Sequence, residues 1–91
     1  MRPVKSAIIR GRRFSIRDSA LHKGEELGLC SHPDLGHCEM IIPVDGDTKP
    51  ELNTICHEIG HACFWDLDEE AIQEMGDAMS NLLWRLGWRK D

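Results

Sequence analysis

Hydrophobic residues recur along this chain with two different periods, and the change falls near residue 48. Between residues 6 and 17 the run SAIIRGRRFSIR alternates loosely about Gly11, with Ile8, Ile9, Phe14 and Ile16 as its apolar positions. A period of two sends successive side chains to opposite faces of a pleated strand, so this stretch predicts one long strand or a tight hairpin turning near Gly11–Arg12. Residues 18–37 lose the pattern and contain Gly24, Gly28, Pro33 and Gly36. They predict an irregular connection, with room for one helical turn over Leu21–Leu27. The run CEMIIPV at 38–44 predicts a further strand, ended by Pro43 and an Asp45–Gly46 turn.

From Thr48 the period becomes helical. Thr48 and Glu51 have the spacing of a capping box, and Pro50 falls in the first turn, where its missing N–H costs nothing. Ile55, Ile59 and Ala62 recur at i, i+4 and i+7, which carries the helix to about residue 64. Asp66 or Asp68 can cap a second helix, with Glu69 and Glu70 in its first turn, where the helix dipole favours negative charge. Leu67, Ala71, Met75, Ala78, Leu82 and Leu86 continue at helical spacing. Gly87 is placed as a C-cap, with Arg85, Arg89 and Lys90 near the negative end. The short connection folds the second helix back on the first. The expected architecture is α+β, a small antiparallel sheet followed by two packed helices, in one domain spanning residues 1–91.

A chain of 91 residues buries a smaller fraction of its surface than a larger domain does, so a metal bridging two elements would add useful stability. Its composition, 41% hydrophobic and 30% charged, is that of an ordinary globular protein. Nothing approaches the run of about 18 apolar residues that a membrane helix needs. The basic N-terminus lacks the apolar stretch of a secretory signal, so a cytoplasmic protein is expected. The cysteines agree. Cys56 and Cys63, seven apart on one helix, are separated by roughly 10 Å of rise, too far for a disulfide. They are expected as small core residues, and Cys30 and Cys38 would stay reduced in a cytosol.

Charge is unevenly spread. Net charge is −5, yet Arg2, Lys5, Arg10, Arg12, Arg13 and Arg17 face no acid before residue 18, whereas the segment 39–77 is strongly acidic with Lys49 its one basic residue. A sheet with solvated arginines beside an acidic helical pair accounts for this. A basic patch for nucleic acid is the sharper reading, and the lack of interleaved aromatics argues against single-strand binding. Trp65, Trp84 and Trp88 are expected to pack in the core and at helix ends, or else to form an exposed aromatic patch.

The chemistry concentrates in NTICHEIGHACF, residues 53–64. On a helix His57 and His61 are one turn apart and face the same way, so both imidazoles can hold one ion. Glu58 projects about 100° away from His57 around the axis, which suits it to take a proton from a water activated by the ion rather than to bind the ion itself. A catalytic zinc site needs a third protein ligand. No histidine follows His61, so that ligand comes from the acids Asp66, Asp68, Glu69, Glu70 and Glu74. Asp68 is better read as a cap. Glu69 is favoured, then Glu70, and the sequence does not separate the two. A second constellation, Cys30–Ser31–His32 with His37–Cys38, has the right ligand types for a structural zinc, but adjacent His–Cys ligands are sterically awkward. It reads better as loop residues and a strand-start cysteine.

The stretch LNTICHEIGHACFWDLDEEAIQEMGDAMSNLLWRLGW resembles the C-terminal half of small phage- and mobile-element-encoded zinc metallopeptidases of the gluzincin kind, over about residues 38–88. Those carry H–E–x–x–H on one helix and a glutamate ligand on the next. The resemblance implies a minimal zincin-like fold, Zn2+ held by His57, His61 and a Glu69/Glu70 position, and Glu58 as general base. It also implies a sheet whose edge strand, here about 38–43, holds an extended peptide or protein substrate. Two other readings stand beside peptide-bond hydrolysis: a non-enzymatic, metal-stabilised protein-interaction module, and nucleic-acid binding through Arg10, Arg12, Arg13 and Arg17. No membrane partner is expected.

Overall fold

The computed structural model describes residues 5–19, 29–30, 38–45 and 47–88. Its elements in chain order are β1 (Ser6–Ile9), β2 (Arg12–Asp18), β3 (Leu29–Cys30), β4 (Glu39–Ile42), α1 (Lys49–Cys63) and α2 (Glu69–Arg85). The N-terminal stretch is the hairpin, not the single strand. Its turn is Arg10–Gly11, one position before the expected place, with φ of 51° and 78°. Two central residues with positive φ match the natural twist of paired strands, so the register closes with Ile9 opposite Arg12. Arg10 bears the cost of a left-handed backbone that glycine avoids. Its guanidinium is held at the same time by the Cys63 carbonyl at 3.1 Å, by Asp66 at 3.2 Å and by the Trp65 ring at 4.2 Å.

The sheet is mixed, which corrects the antiparallel expectation. Strand order is β1-β2-β4-β3, with β1 and β3 antiparallel to their neighbours and β2 parallel to β4 from Ser15↔Glu39 to Asp18↔Ile42. Alternation tells which face a side chain takes, and it carries no information about strand direction. Here the chain passes through the two-residue β3 on the outside before returning as β4, and that crossover makes β4 run alongside β2. A second expectation is overturned with it. Strand β4 lies between β2 and β3 and is not an edge, so it does not offer a free edge along its length to an extended peptide. The anticipated helical turn over 21–27, and His32 and His37 of the Cys/His constellation, lie outside the described residues.

The alternating strands deliver Phe14, Met40 and Ile42 to one face of the sheet. There they meet Ala62 of α1 in a buried cluster lined by Ile9, Ile16, Cys30, Cys38, Val44 and Ile55. Helix α1 starts where the capping box predicts: the Thr48 hydroxyl accepts from Glu51 N at 3.3 Å and the Thr48 N–H donates to Glu51 Oε1 at 3.1 Å. Helix α2 is capped by Asp68, which accepts from Ala71 N at 2.7 Å, and ends before Gly87 with its φ of 90°.

The helices run antiparallel. Asn53 donates to Asp77 Oδ1 at 2.8 Å and to Ser80 Oγ at 3.0 Å at one end of the pair, and His61 meets Glu69 at the other. Two glycines let the axes approach. A Cβ on Gly60 would lie 2.5 Å from Met75 Cε and 3.2 Å from Ile72 Cγ2, and one on Gly76 would lie 3.4 Å from the His57 backbone. Helix α2 packs chiefly against α1, whose opposite face meets the sheet. The order of layers is therefore sheet, α1, α2. No helix among the described residues is long and apolar enough to cross a membrane.

Candidate metal centre

Three side chains converge where the C-terminal half of α1 passes the first turn of α2. His57 Nε2 lies 2.8 Å from Glu69 Oε1, His61 Nε2 lies 2.9 Å from Glu69 Oε2, and the two Nε2 atoms are 3.1 Å apart. The imidazoles stand edge to face, 4.7 Å between centroids. Local sequence explains each position. One helical turn separates the histidines, Gly76 admits the His57 backbone close to α2, and the Asp68 cap fixes where Glu69 begins the second helix.

The donor set fits a divalent cation. Among the described residues, His57, His61 and Glu69 are the one group of three or more His, Cys, Asp or Glu side chains whose ligand atoms gather this closely. A tetrahedral zinc with bonds of about 2.0–2.1 Å holds its ligand atoms roughly 3.3–3.4 Å apart, close to the 2.8–3.1 Å separations here. Two neutral nitrogens and one carboxylate are also the ligand types that zinc prefers in sites with an open position. Protons on the imidazoles can hold the same triangle by hydrogen bonds, with each histidine donating to one carboxylate oxygen.

Of the two acids that the sequence left open, Glu69 belongs to this group and Glu70 does not. One position on a helix is about 100° of rotation, enough to take Glu70 out of the cluster. Glu58 is buried, 8% exposed, on the sheet side of α1. It is close enough to the thiol of Cys30 on β3 for its charge to be felt there. Burial first, then the charges of Glu58, Cys38 and Cys63, push the Cys30 thiol from an ordinary 9.0 up to about 12. Glu58 thus lies toward the sheet, whereas Glu69 reaches the histidine pair from α2.

The remaining expected site residues are dispersed. Asp68 is the cap. Asp66 pairs with Arg10, and Glu74 is exposed on α2 away from the histidines. Cys30 and Cys38 border the core, Cys56 is buried with its thiol raised by that burial, and none of the four cysteines forms a disulfide. The arginines are occupied within the chain: Arg10 and Arg12 lie over Trp65, Arg13 donates to Ser6 Oγ, and Arg17 pairs with Glu39. Sequence reasoning missed this clasp on Trp65, and the isolated Trp65–Asp66 pair in an otherwise short connection was its only trace. No family model matches the chain, and neither do curated proteins or solved structures.

Proposed function

We propose that this protein is a minimal zinc-dependent metallopeptidase, a zincin-like domain that hydrolyses peptide bonds in a peptide or protein substrate. The observation carrying this reading is the closed triangle of His57 Nε2, His61 Nε2 and the Glu69 carboxylate, with every edge at 2.8–3.1 Å. These residues would hold the ion. When bound, zinc supplies Lewis acidity, making water a stronger acid near neutral pH and polarising an amide carbonyl. Glu58, one residue after a ligand and turned to the sheet side, would be the residue to accept a proton from the attacking water and return it to the leaving amine. Glu69 contributes the negative charge that partly neutralises the cation, and the Asp68 cap orients it. The H–E–x–x–H resemblance to phage- and mobile-element peptidases supports the same assignment, and four unbridged cysteines suit the cytoplasm.

Purified protein should bind one zinc per chain. His57→Ala and Glu69→Ala should lose it, whereas Glu58→Gln should keep it and lose hydrolysis of a peptide library by at least about a hundredfold, as removal of a general base does. Full hydrolysis by Glu58→Gln would falsify the role of that residue. A metal-stabilised interaction module is the second reading, favoured by the way α2 rests chiefly on α1, where a shared cation would fasten it. In that case His57→Ala alone alters folding and binding, and Glu58→Gln is silent.

A further inference from the structure

The outer helix carries an apolar stripe that the fold leaves uncovered. Ile72, Met75, Met79, Leu82 and Leu86 follow one another at alternating steps of three and four along α2 and its C-cap. That is the spacing of a seam between two helices. The seam starts inside the molecule, with Ile72 fully buried against α1, and then runs out of cover. Met79 is 42% exposed, Leu82 56% and Leu86 66%, with Trp88 exposed beyond them. The Asn53–Ser80 contact shows why: the face of α2 turned to α1 lies to one side of the stripe, so Ser80 is 1% exposed while its neighbour Met79 is left uncovered. An exposed run of this kind on so small a domain marks an interaction surface.

We propose that a second copy of this chain packs on this stripe, α2 against α2 in antiparallel orientation. Charge selects the partner and its direction. The half of α2 that holds Glu69, Glu70, Glu74 and Asp77 is acidic, and in the other half the one charged residue is Arg85. Parallel pairing sets acid on acid and Arg85 on Arg85. A twofold axis crossing the stripe midway between Met79 and Leu82 sets Met79 against Leu82 and Met75 against Leu86 of the second copy, so the same patch complements itself. Glu74 and Arg85 are eleven residues, close to three turns, apart and therefore lie on one flank of the stripe. The same axis brings Glu74 of each copy within about a turn of Arg85 of the other. Ala71 and Ala78 on that flank are small enough to let the two backbones approach. The charges are thus compatible with the register that the stripe sets.

Sedimentation equilibrium of the full chain, zinc-loaded, provides the test. The expected species has twice the 10.4 kDa chain mass at micromolar concentrations. Leu82→Glu, at an exposed position, should give a monomer with unchanged helical circular dichroism and unchanged zinc stoichiometry. Glu74→Lys and Arg85→Glu should each weaken the dimer about tenfold through two like-charge contacts. The double exchange Glu74→Lys with Arg85→Glu should restore the dimer, which only an antiparallel pairing permits. A monomer at every concentration, a dimer that Leu82→Glu leaves intact, or a double exchange no tighter than the single ones overturns the proposal.

Discussion

Glu69 and Glu70 differ by one position, yet only the first reaches the histidines. Which of two adjacent acids faces α1 depends on how the helices are rotated against each other. That rotation is set by Gly60 and Gly76, where the partner helix comes within van der Waals distance, and no local motif encodes it. The histidine pair, by contrast, was legible, because i and i+4 share a face on any helix. At the same scale, Cys30 offers a measurable consequence of burial. With its thiol held at about 12 against an ordinary 9.0, the folded chain keeps a proton that the unfolded chain gives up as pH rises. This contribution to stability is complete below about pH 9 and is lost progressively toward pH 12. Urea midpoints measured at pH 7.5, 9 and 10.5 should therefore fall more steeply for the native chain than for Cys30→Ala. Alkylation of Cys30 at pH 8 should also be slower by about tenfold or more than that of a solvent-exposed thiol, because its thiolate is scarce. Equal slopes for the two chains would show that the thiol is not held neutral by its surroundings.

Between elements, the helix pair makes a prediction that ranks two glycines. Alanine is favoured over glycine inside a helix by about 1 kcal/mol. At Gly76 the new methyl would meet the His57 backbone at 3.4 Å, an ordinary contact, so Gly76→Ala should be neutral or stabilising by up to that amount. At Gly60 it would fall 2.5 Å from Met75 Cε and 3.2 Å from Ile72 Cγ2. The Met75 methyl is the end of a flexible side chain and can swing aside, whereas Ile72 must give by a few tenths of an ångström, so part of the propensity gain is lost and Gly60→Ala should gain less stability than Gly76→Ala in thermal or urea melts. The helices themselves were the most readable part of the chain. Thr48, Glu51 and Pro50 mark the start of α1, and Asp68 and Gly87 bracket α2, because caps act through hydrogen bonds only three residues long. Strand direction was not readable. Ile16 and Met40 alternate equally well in either orientation, and what makes β2 and β4 parallel is the excursion through β3.

For the whole molecule, the proposed ion joins α1 to α2 and should stabilise the folded chain by mass action. Free zinc at a hundred times its dissociation constant adds about 2.7 kcal/mol, which for a domain of this size raises the melting temperature by roughly 10–20 °C. Chelation should reverse the shift, and Glu69→Ala should abolish it. A melting temperature indifferent to both zinc and chelator would remove the ion from the account of stability.

The order of layers has a further consequence. Phe14, Met40, Ile42 and Ala62 close the core without any residue of α2, whereas the carboxylate completing the triangle rides on that outermost helix. Lifting α2 away would take Glu69 from the histidines while leaving the contacts within that cluster in place. Heat or a loosening mutation that frees α2 should therefore separate Glu69 from His57 and His61 before it opens the sheet-side cluster.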